Sequence, residues 1–224
     1  MTRIRLGVTG WALAGWLFGH GALAEEAFVT MHSLTIHIPL KSWKTLRDAR
    51  IVKQDVDYSC GAASLATLLN AYYRQDVTEQ ELLVALDKGE GRASFEDMQR
   101  ALPAFGFKAQ GFAGSWEQLA KLKIPVIVYL KHRKDDHFSV LRGIDENTVW
   151  LADPSLGNRT YSRQQFLEMW ETRAHDKDHS ELRGKFLAVL PATAHIRSND
   201  DFFTRAPRRQ TTPAVRQLAI RHFP

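Results

Sequence analysis

The stretch QDVDYSCGAASLATLLNAYY, Gln54–Tyr73, is where the reading of this chain turns. Leu65, Leu68, Leu69 and Tyr72 follow the i, i+3, i+4, i+7 spacing that gathers apolar side chains on one helical face, so a helix is predicted from Cys60 to Tyr73. Gly61, Ala62 and Ala63 keep the start of that helix slim enough for other backbone to approach it closely. Cys60 stands at the helix start, behind the polar segment Asp57-Tyr58-Ser59. The thiolate is the reactive form of cysteine, and the unpaired N–H groups and dipole of a helix N-terminus favour it. In thiol peptidases, a side-chain amide where Gln54 lies can join the backbone N–H of the cysteine in holding a developing oxyanion. The plainer reading of Cys60 is an inert core thiol, and the helix alone does not choose between the two.

Downstream, Thr78-Glu79-Gln80-Glu81 matches a capping box and opens a helix to about Leu86; Ser94-Phe95-Glu96-Asp97 caps a third helix, ended by Pro103 and Gly106. The period then changes. Strands are predicted at Phe107–Phe112, Pro125–Leu130, Phe138–Ile144, Thr148–Ala152 and Lys185–Leu190, with short helices at Ser115–Lys121 and Arg163–Trp170. Lys131–Asp136 reads as a polar turn and Asp145-Glu146-Asn147 as a tight hairpin. Helices first and an antiparallel sheet second is the α+β arrangement, here N-terminal helices packed on a C-terminal antiparallel sheet. His137 is expected to open a strand after a loop, projecting into a cleft. Asp153 ends the next strand just before Pro154, which stops further pairing. Neighbouring antiparallel strands would bring the two together, so that the carboxylate accepts the second ring N–H and fixes the tautomer. His132 is a rival base, but it lies among Lys131, Arg133 and Lys134 and is expected to be solvated; Asn158 is a rival orienting group.

Upstream, residues 1–24 read as a secretory signal peptide. Arg3 and Arg5 precede an apolar run from Leu6 to Phe18, and Ala22-Leu23-Ala24 has the form of a cleavage site. That run is too short to cross a bilayer core of about 30 Å comfortably, so the alternative of a retained anchor is the weaker one. The net charge of +5 sits at the ends: residues 1–24 carry +2 and residues 191–224 carry +4, leaving 25–190 near −1. The body therefore offers no basic surface for nucleic acid. Cys60 is the only cysteine, so no internal disulfide can form. In an oxidising compartment a lone thiol is a liability unless it is buried or used.

Together, Gln54-Asp55-Val56-Asp57-Tyr58-Ser59-Cys60-Gly61-Ala62-Ala63, His137-Phe138-Ser139-Val140 and Asp153-Pro154 resemble the three motifs of the bacteriocin-processing, double-glycine leader peptidases. These are a family of papain-like cysteine peptidases, and the resemblance runs from about Ile51 to Leu190. It implies a papain-like fold with Gln54 in the oxyanion hole, Cys60 as nucleophile, His137 as base and Asp153 as its partner. Many members have an acidic residue immediately before the cysteine, where this chain has Ser59. Members often sit at the front of transporters, whereas Gly89-Glu90-Gly91 lacks the lysine of an ATP-binding loop. The chain is more similar to stand-alone exported members, including the protease of bacterial functional-amyloid secretion systems.

The expected organisation is a signal peptide at 1–24, a lead-in at 25–50, a peptidase domain at 51–190 and a basic, flexible tail at 191–224. The expected activity is cysteine endopeptidase action in the periplasm on an exported protein or peptide, with cleavage after small residues such as Gly-Gly implied by the family. A secretion-system component is an expected partner; nucleic acid, cofactors and metals are not. Membrane contact is confined to the signal or the tail, where Val215, Leu218 and Ala219 would form one helical face. His175 and His179, spaced i, i+4 with Asp176 and Asp178 between, are expected to be a solvated loop rather than metal ligands. No serine sits in a G-x-S-x-G elbow. Two other readings stand beside proteolysis: a non-proteolytic binding or chaperone module of a secretion system, and thiol-dependent acyl transfer or amidase action by the same residues.

Overall fold

The computed structural model describes residues 25–31, 34–40, 42–132, 135–172 and 182–208, with side chains described from Ser42 onward except His132. The signal-peptide reading, the histidines at 175 and 179 and the tail beyond 208 lie outside the described residues. Two compact units follow one another along the chain, up to Ser42 and from Trp43 onward. In the first, β1 (Glu25–Met31) pairs antiparallel with β2 (Leu34–Leu40), from Glu25↔Leu40 to Met31↔Leu34. Within the lead-in, Leu34-Thr35-Ile36-His37-Ile38 carries the apolar–polar alternation of a strand, and β1 is its partner.

The second unit begins with α1 (Trp43–Arg47), followed by α2 (Cys60–Ala71), α3 (Glu79–Leu86) and α4 (Phe95–Ala101). Thr78 and Ser94 close complete capping boxes at α3 and α4. The remaining elements are β3 (Phe107–Gly114), α5 (Trp116–Ala120), β4 (Val126–His132), β5 (Asp135–Ile144), β6 (Thr148–Asp153), β7 (Gly157–Ser162), α6 (Arg163–Trp170) and β8 (Gly184–Pro191). The strands form one six-stranded antiparallel sheet in the order β3-β8-β4-β5-β6-β7.

Alternation along each strand divides the core. Ile127, Phe138, Val140, Ala152, Leu187 and Val189 face α2–α4 and pack with Leu65, Leu68 and Leu69. Val126, Val128, Leu130, Leu141, Val149, Leu151 and Phe186 face the other way, toward α5 and α6. The α+β class stands, with helices on both sides of the sheet. β4 is buried on both faces, which is why Pro125–Leu130 reads as an unbroken apolar run. β7 escaped the sequence pattern because it is a polar edge strand, Gly157-Asn158-Arg159-Thr160-Tyr161-Ser162. Gly184 lets α6 close on β8, since a Cβ there would lie 2.1 Å from the Trp170 ring.

Residues 192–208 correct the expectation of a flexible tail from 191. This strap runs back over the domain: Ala192 N–H donates to Gly106 O, and Asn199 N–H to Tyr72 O. Phe202 is 1% exposed. The register of β5 against β6 shifts between Leu141 and Gly143, a bulge that puts Arg142 out of step. The strap takes up that irregularity. Thr204 N–H donates to Arg142 O, and Thr204 O accepts from Ile144 N–H. Arginine content and prolines hid this, because one buried aromatic side chain and four backbone bonds contribute to the anchoring. The lead-in boundary also moves: Asn158 Nδ2 donates to the carbonyls of Leu46, Arg47 and Ala49, tying α1 to β7 within the same unit.

Phe202→Ala is expected to cost about 3 kcal/mol, the usual scale for emptying a buried aromatic site. A urea titration should show it as a lower midpoint with an unchanged slope; a midpoint within error of the parent would contradict the docked strap.

Candidate active site

α2 starts at Cys60, so the helix presents its first N–H groups, which have no intrahelical acceptor, around the thiol. Ser59 makes no capping bond; its hydroxyl turns back to Val56 O at 2.8 Å and fixes the approach to the helix. Both Ser59 and Cys60 are buried. Ser64 Oγ donates to Phe138 O at 3.1 Å, which pins the first turns of α2 to β5 one residue past His137.

β5 begins at Asp135, earlier than expected, so His137 lies within the strand, in register with Leu130, rather than opening it after a loop. The polar residues Lys131 and Asp136 pair across the hairpin instead of forming its turn. Asp153 ends β6 as anticipated. The imidazole and the carboxylate meet with Nε2···Oδ2 at 2.8 Å. The side chains are 19% and 2% exposed. Nε2 being occupied, Nδ1 is the nitrogen available to the hydrogen bond between His137 and Cys60.

Asp153 has a second set of contacts that sequence reasoning did not assign. Oδ1 accepts from Ser155 N–H at 2.9 Å, Ser155 Oγ at 2.8 Å and Leu156 N–H at 2.8 Å. Asp-Pro-Ser is a turn sequence in which aspartate accepts from backbone two residues on, so the signal was present. Gly157 completes the turn at φ +82°, where a Cβ would also strike the Arg47 carbonyl at 2.8 Å. Asn158, the rival orienting group, is committed elsewhere: its Oδ1 accepts from Arg142 Nη1 at 2.8 Å and its Nδ2 holds α1. His132 ends β4, with its side chain outside the described residues.

Gln54 lies beside this chain of contacts. Its N–H donates to Pro154 O at 3.1 Å, one residue past Asp153, and its Nε2 donates to Val56 O at 3.1 Å. Its Oε1 is buried without a protein partner among the described residues. The structure therefore brings Cys60, His137 and Asp153 together side chain to side chain and joins Gln54 to them through backbone.

Charge is distributed accordingly. Burial alone would push the His137 imidazole down, but its hydrogen bonds and attraction to Asp153 and Cys60 raise it to about 9. Burial pushes the Cys60 thiol up; the hydrogen bond to His137, a backbone hydrogen bond from Phe138 and the positive charges of His137 and Arg92 outweigh it and leave the thiol below its ordinary value. Burial likewise pushes Asp153 up, and the bond to His137, that ring's charge and the Leu156 and Ser155 donors bring it below the ordinary carboxylate range. All three shifts favour an imidazolium held between a thiolate and a carboxylate. Such a site can deliver a sulfur nucleophile and a proton to the same bond. Among the described residues no group of histidine, cysteine and acidic side chains is arranged to hold a metal.

The model of a family described as the Peptidase C39 family matches residues 48–180. A "Probable functional amyloid protease FapD" of Pseudomonas fluorescens is 38% identical over 138 residues, which are 58% of this chain and 61% of the relative. A protein of the same description in Pseudomonas aeruginosa is 34% identical over 142 residues, 60% of this chain and 63% of the relative. The chain thus spans about three fifths of the length of these curated relatives. Among solved structures, a double glycine motif protease from an AMS/PCAT transporter, in complex with the leader peptide, matches at a TM-score of 0.52 and 25% identity. That match covers 63% of this chain and 90% of the other.

Because the folded imidazole titrates above the unfolded value of about 6.5, its contribution to stability is complete below that pH and is lost as pH rises through about 9. An NMR titration of the His137 ring is expected to give a midpoint near 9, falling by more than one pH unit in Asp153→Asn. A wild-type midpoint near 6.5 would contradict the ion pair.

Proposed function

This chain belongs to the Peptidase C39 family, and on that premise we propose that it is a cysteine endopeptidase acting on an exported protein. The observation that carries the reading is the unbroken contact from Cys60 through His137 to Asp153 at the start of a buried helix. In the proposed reaction the Cys60 thiolate attacks the scissile carbonyl. The new C–S bond moves the carbonyl electron pair onto oxygen, where the Cys60 N–H and the second hydrogen of Gln54 Nε2 receive it. His137 Nδ1 gives its proton to the leaving amine as the C–N bond breaks. Water, deprotonated by the same nitrogen, then releases the acyl group and restores the thiolate. Asp153 keeps the ring oriented and balances its charge.

The finer parts of the reading rest on different supports. The double glycine motif of the matched transporter protease supports cleavage after Gly-Gly. The description of the Pseudomonas relatives as functional amyloid proteases supports a secreted, fibril-forming protein as substrate and a component of its secretion system as partner. Export to the periplasm rests on the sequence of residues 1–24. No helix among the described residues is long and apolar enough to cross a membrane. A binding module would need a groove but no buried imidazolium between a thiolate and a carboxylate, which is why proteolysis is preferred.

Two measurements test this. Wild-type protein should be alkylated by iodoacetamide at pH 5–6, with His137→Ala reacting only above about pH 8.5, the ordinary thiol range. On peptides spanning a Gly-Gly junction, Cys60→Ala should give no cleavage product and Gln54→Ala should lower kcat by about 10²–10³, as for loss of one oxyanion donor. Thiol reactivity that ignores His137 would sink the mechanism. Cleavage that persists without Cys60 would sink the assignment of the nucleophile.

A further inference from the structure

Glu79 is a buried carboxylate that the proposed reaction does not use. It opens α3 directly behind the Thr78 cap, where the dipole of the helix start favours a negative charge. The helix is a firm base, since Leu82 and Leu86 lie in one core with Leu65, Leu68 and Leu69 of α2. A carboxylate at that depth costs free energy unless its oxygens meet donors. The donor here is the N–H of Asp55, 3.3 Å from Oε1 and 3.3 Å from Oε2.

Asp55 follows Gln54, so Glu79 holds the peptide plane that leaves Gln54. The plane that enters Gln54 is held too, by the bond from Gln54 N–H to Pro154 O at 3.1 Å. Peptide units are planar, so only the two dihedrals at the Gln54 Cα join these planes. Restraining both planes restrains both dihedrals, and with them the direction in which the Gln54 side chain leaves the backbone. The amide is then set by its own bond from Nε2 to Val56 O at 3.1 Å. Asp55, Val56 and Asp57 are exposed, so hydrogen bonds rather than burial of these side chains hold the loop.

We propose that Glu79 is a positioning residue for the oxyanion side of the site: by holding Asp55 N–H it sets the Gln54 amide in place without touching substrate. The oxyanion role of Gln54 rests on the peptidase reading, but the hold on the amide does not and can be measured without turnover. Side-chain chemistry ranks the substitutions. Gln at this position keeps an oxygen acceptor at the same reach, Asp withdraws the carboxylate by one methylene, and Ala removes it.

The test has two readouts. In cleavage of a peptide spanning a Gly-Gly junction, Glu79→Ala is expected to lower kcat about tenfold with little change in KM, the pattern of a lost transition-state interaction. Glu79→Gln should return kcat to within about threefold of wild type, because a neutral oxygen still accepts the bond. Glu81→Ala, which takes the exposed capping box of α3 apart without reaching Asp55, should leave kcat unchanged. In a Gln54→Ala background the Glu79→Ala effect should shrink to less than about twofold, since both act through one amide. Alkylation of Cys60 at pH 5–6 should not change in Glu79→Ala. The second readout is NMR relaxation of the Gln54 side-chain amide, whose order parameter should fall in Glu79→Ala and hold in Glu79→Gln. Glu79→Asp should show the same losses in milder form, which keeps the test open where Glu79→Ala does not fold. An unchanged order parameter, a kcat loss of equal size with and without Gln54, or loss of Cys60 alkylation overturns the proposal. A wild-type protein that cleaves none of the peptides would instead overturn the peptidase reading, and the relaxation result then decides the hold on Gln54 by itself.

Discussion

A carboxylate at 2% exposure sets the constraint that the rest of this domain satisfies. Removing such a charge from water costs several kcal/mol unless it is paired and its remaining lone pairs are filled. Asp153 meets the condition with four contacts divided by oxygen: His137 on Oδ2, and Ser155 twice and Leu156 once on Oδ1. The division decides geometry. With Oδ1 held by the turn, Oδ2 can point only along the sheet toward β5. The ring is held by one nitrogen, and the other is left for the thiol. Local chain chemistry after Asp153 therefore aims a histidine sixteen residues earlier in sequence.

The turn is in turn held by parts of the chain that carry no chemistry. Gly157 accepts the close approach of Arg47 and Asp48, and Asn158 gathers three carbonyls from the end of α1. The same Asn158 accepts from Arg142, a buried guanidinium set between the rings of Trp150 and Phe202 at 4.2 and 4.5 Å. A buried arginine with aromatic faces on two sides and an amide oxygen at its tip is tolerated because its charge is shared with π systems instead of a carboxylate. Even so, burial lowers it to about 10. One continuous set of contacts thus runs from the strap through Phe202, Arg142 and Asn158 to the turn that holds Asp153.

What could be read in advance follows from this division. Periodicity and capping chemistry are local, so α2, α3, α4 and most strands were legible from Leu65, Leu68 and Leu69, from Thr78 and Ser94, and from the apolar run of β4. Residue type and order were enough to single out Cys60, His137 and Asp153, because each stands at or near the end of an element that pattern could locate. The polar edge strand β7 was not legible, since an edge need not alternate. The strap was not legible either: its anchoring depends on a bulge at Arg142 that exists only once β5 and β6 have paired. Arg92 carried no signal at all. It lies some thirty residues along the chain from the thiol, and its guanidinium is placed by a bond to Asp136 O on β5 that only the folded chain makes.

Gln54 shows how a resting geometry can prepare a reacting one. Its amide nitrogen donates one hydrogen to Val56 O, and its oxygen is buried without a protein partner among the described residues. The bond to Val56 keeps the amide plane fixed before any substrate arrives. The second hydrogen on the same nitrogen is the one assigned to the oxyanion in the proposed reaction. An arrangement already in place stabilises charge without reorganisation at the moment of reaction, and that is the condition under which one donor is worth orders of magnitude in rate. The backbone bond from Gln54 to Pro154 then acquires a reason within the proposed reaction: it ties the residue assigned to the oxyanion to the neighbour of Asp153, so that one hydrogen bond fixes the spacing between the two ends of the reaction path.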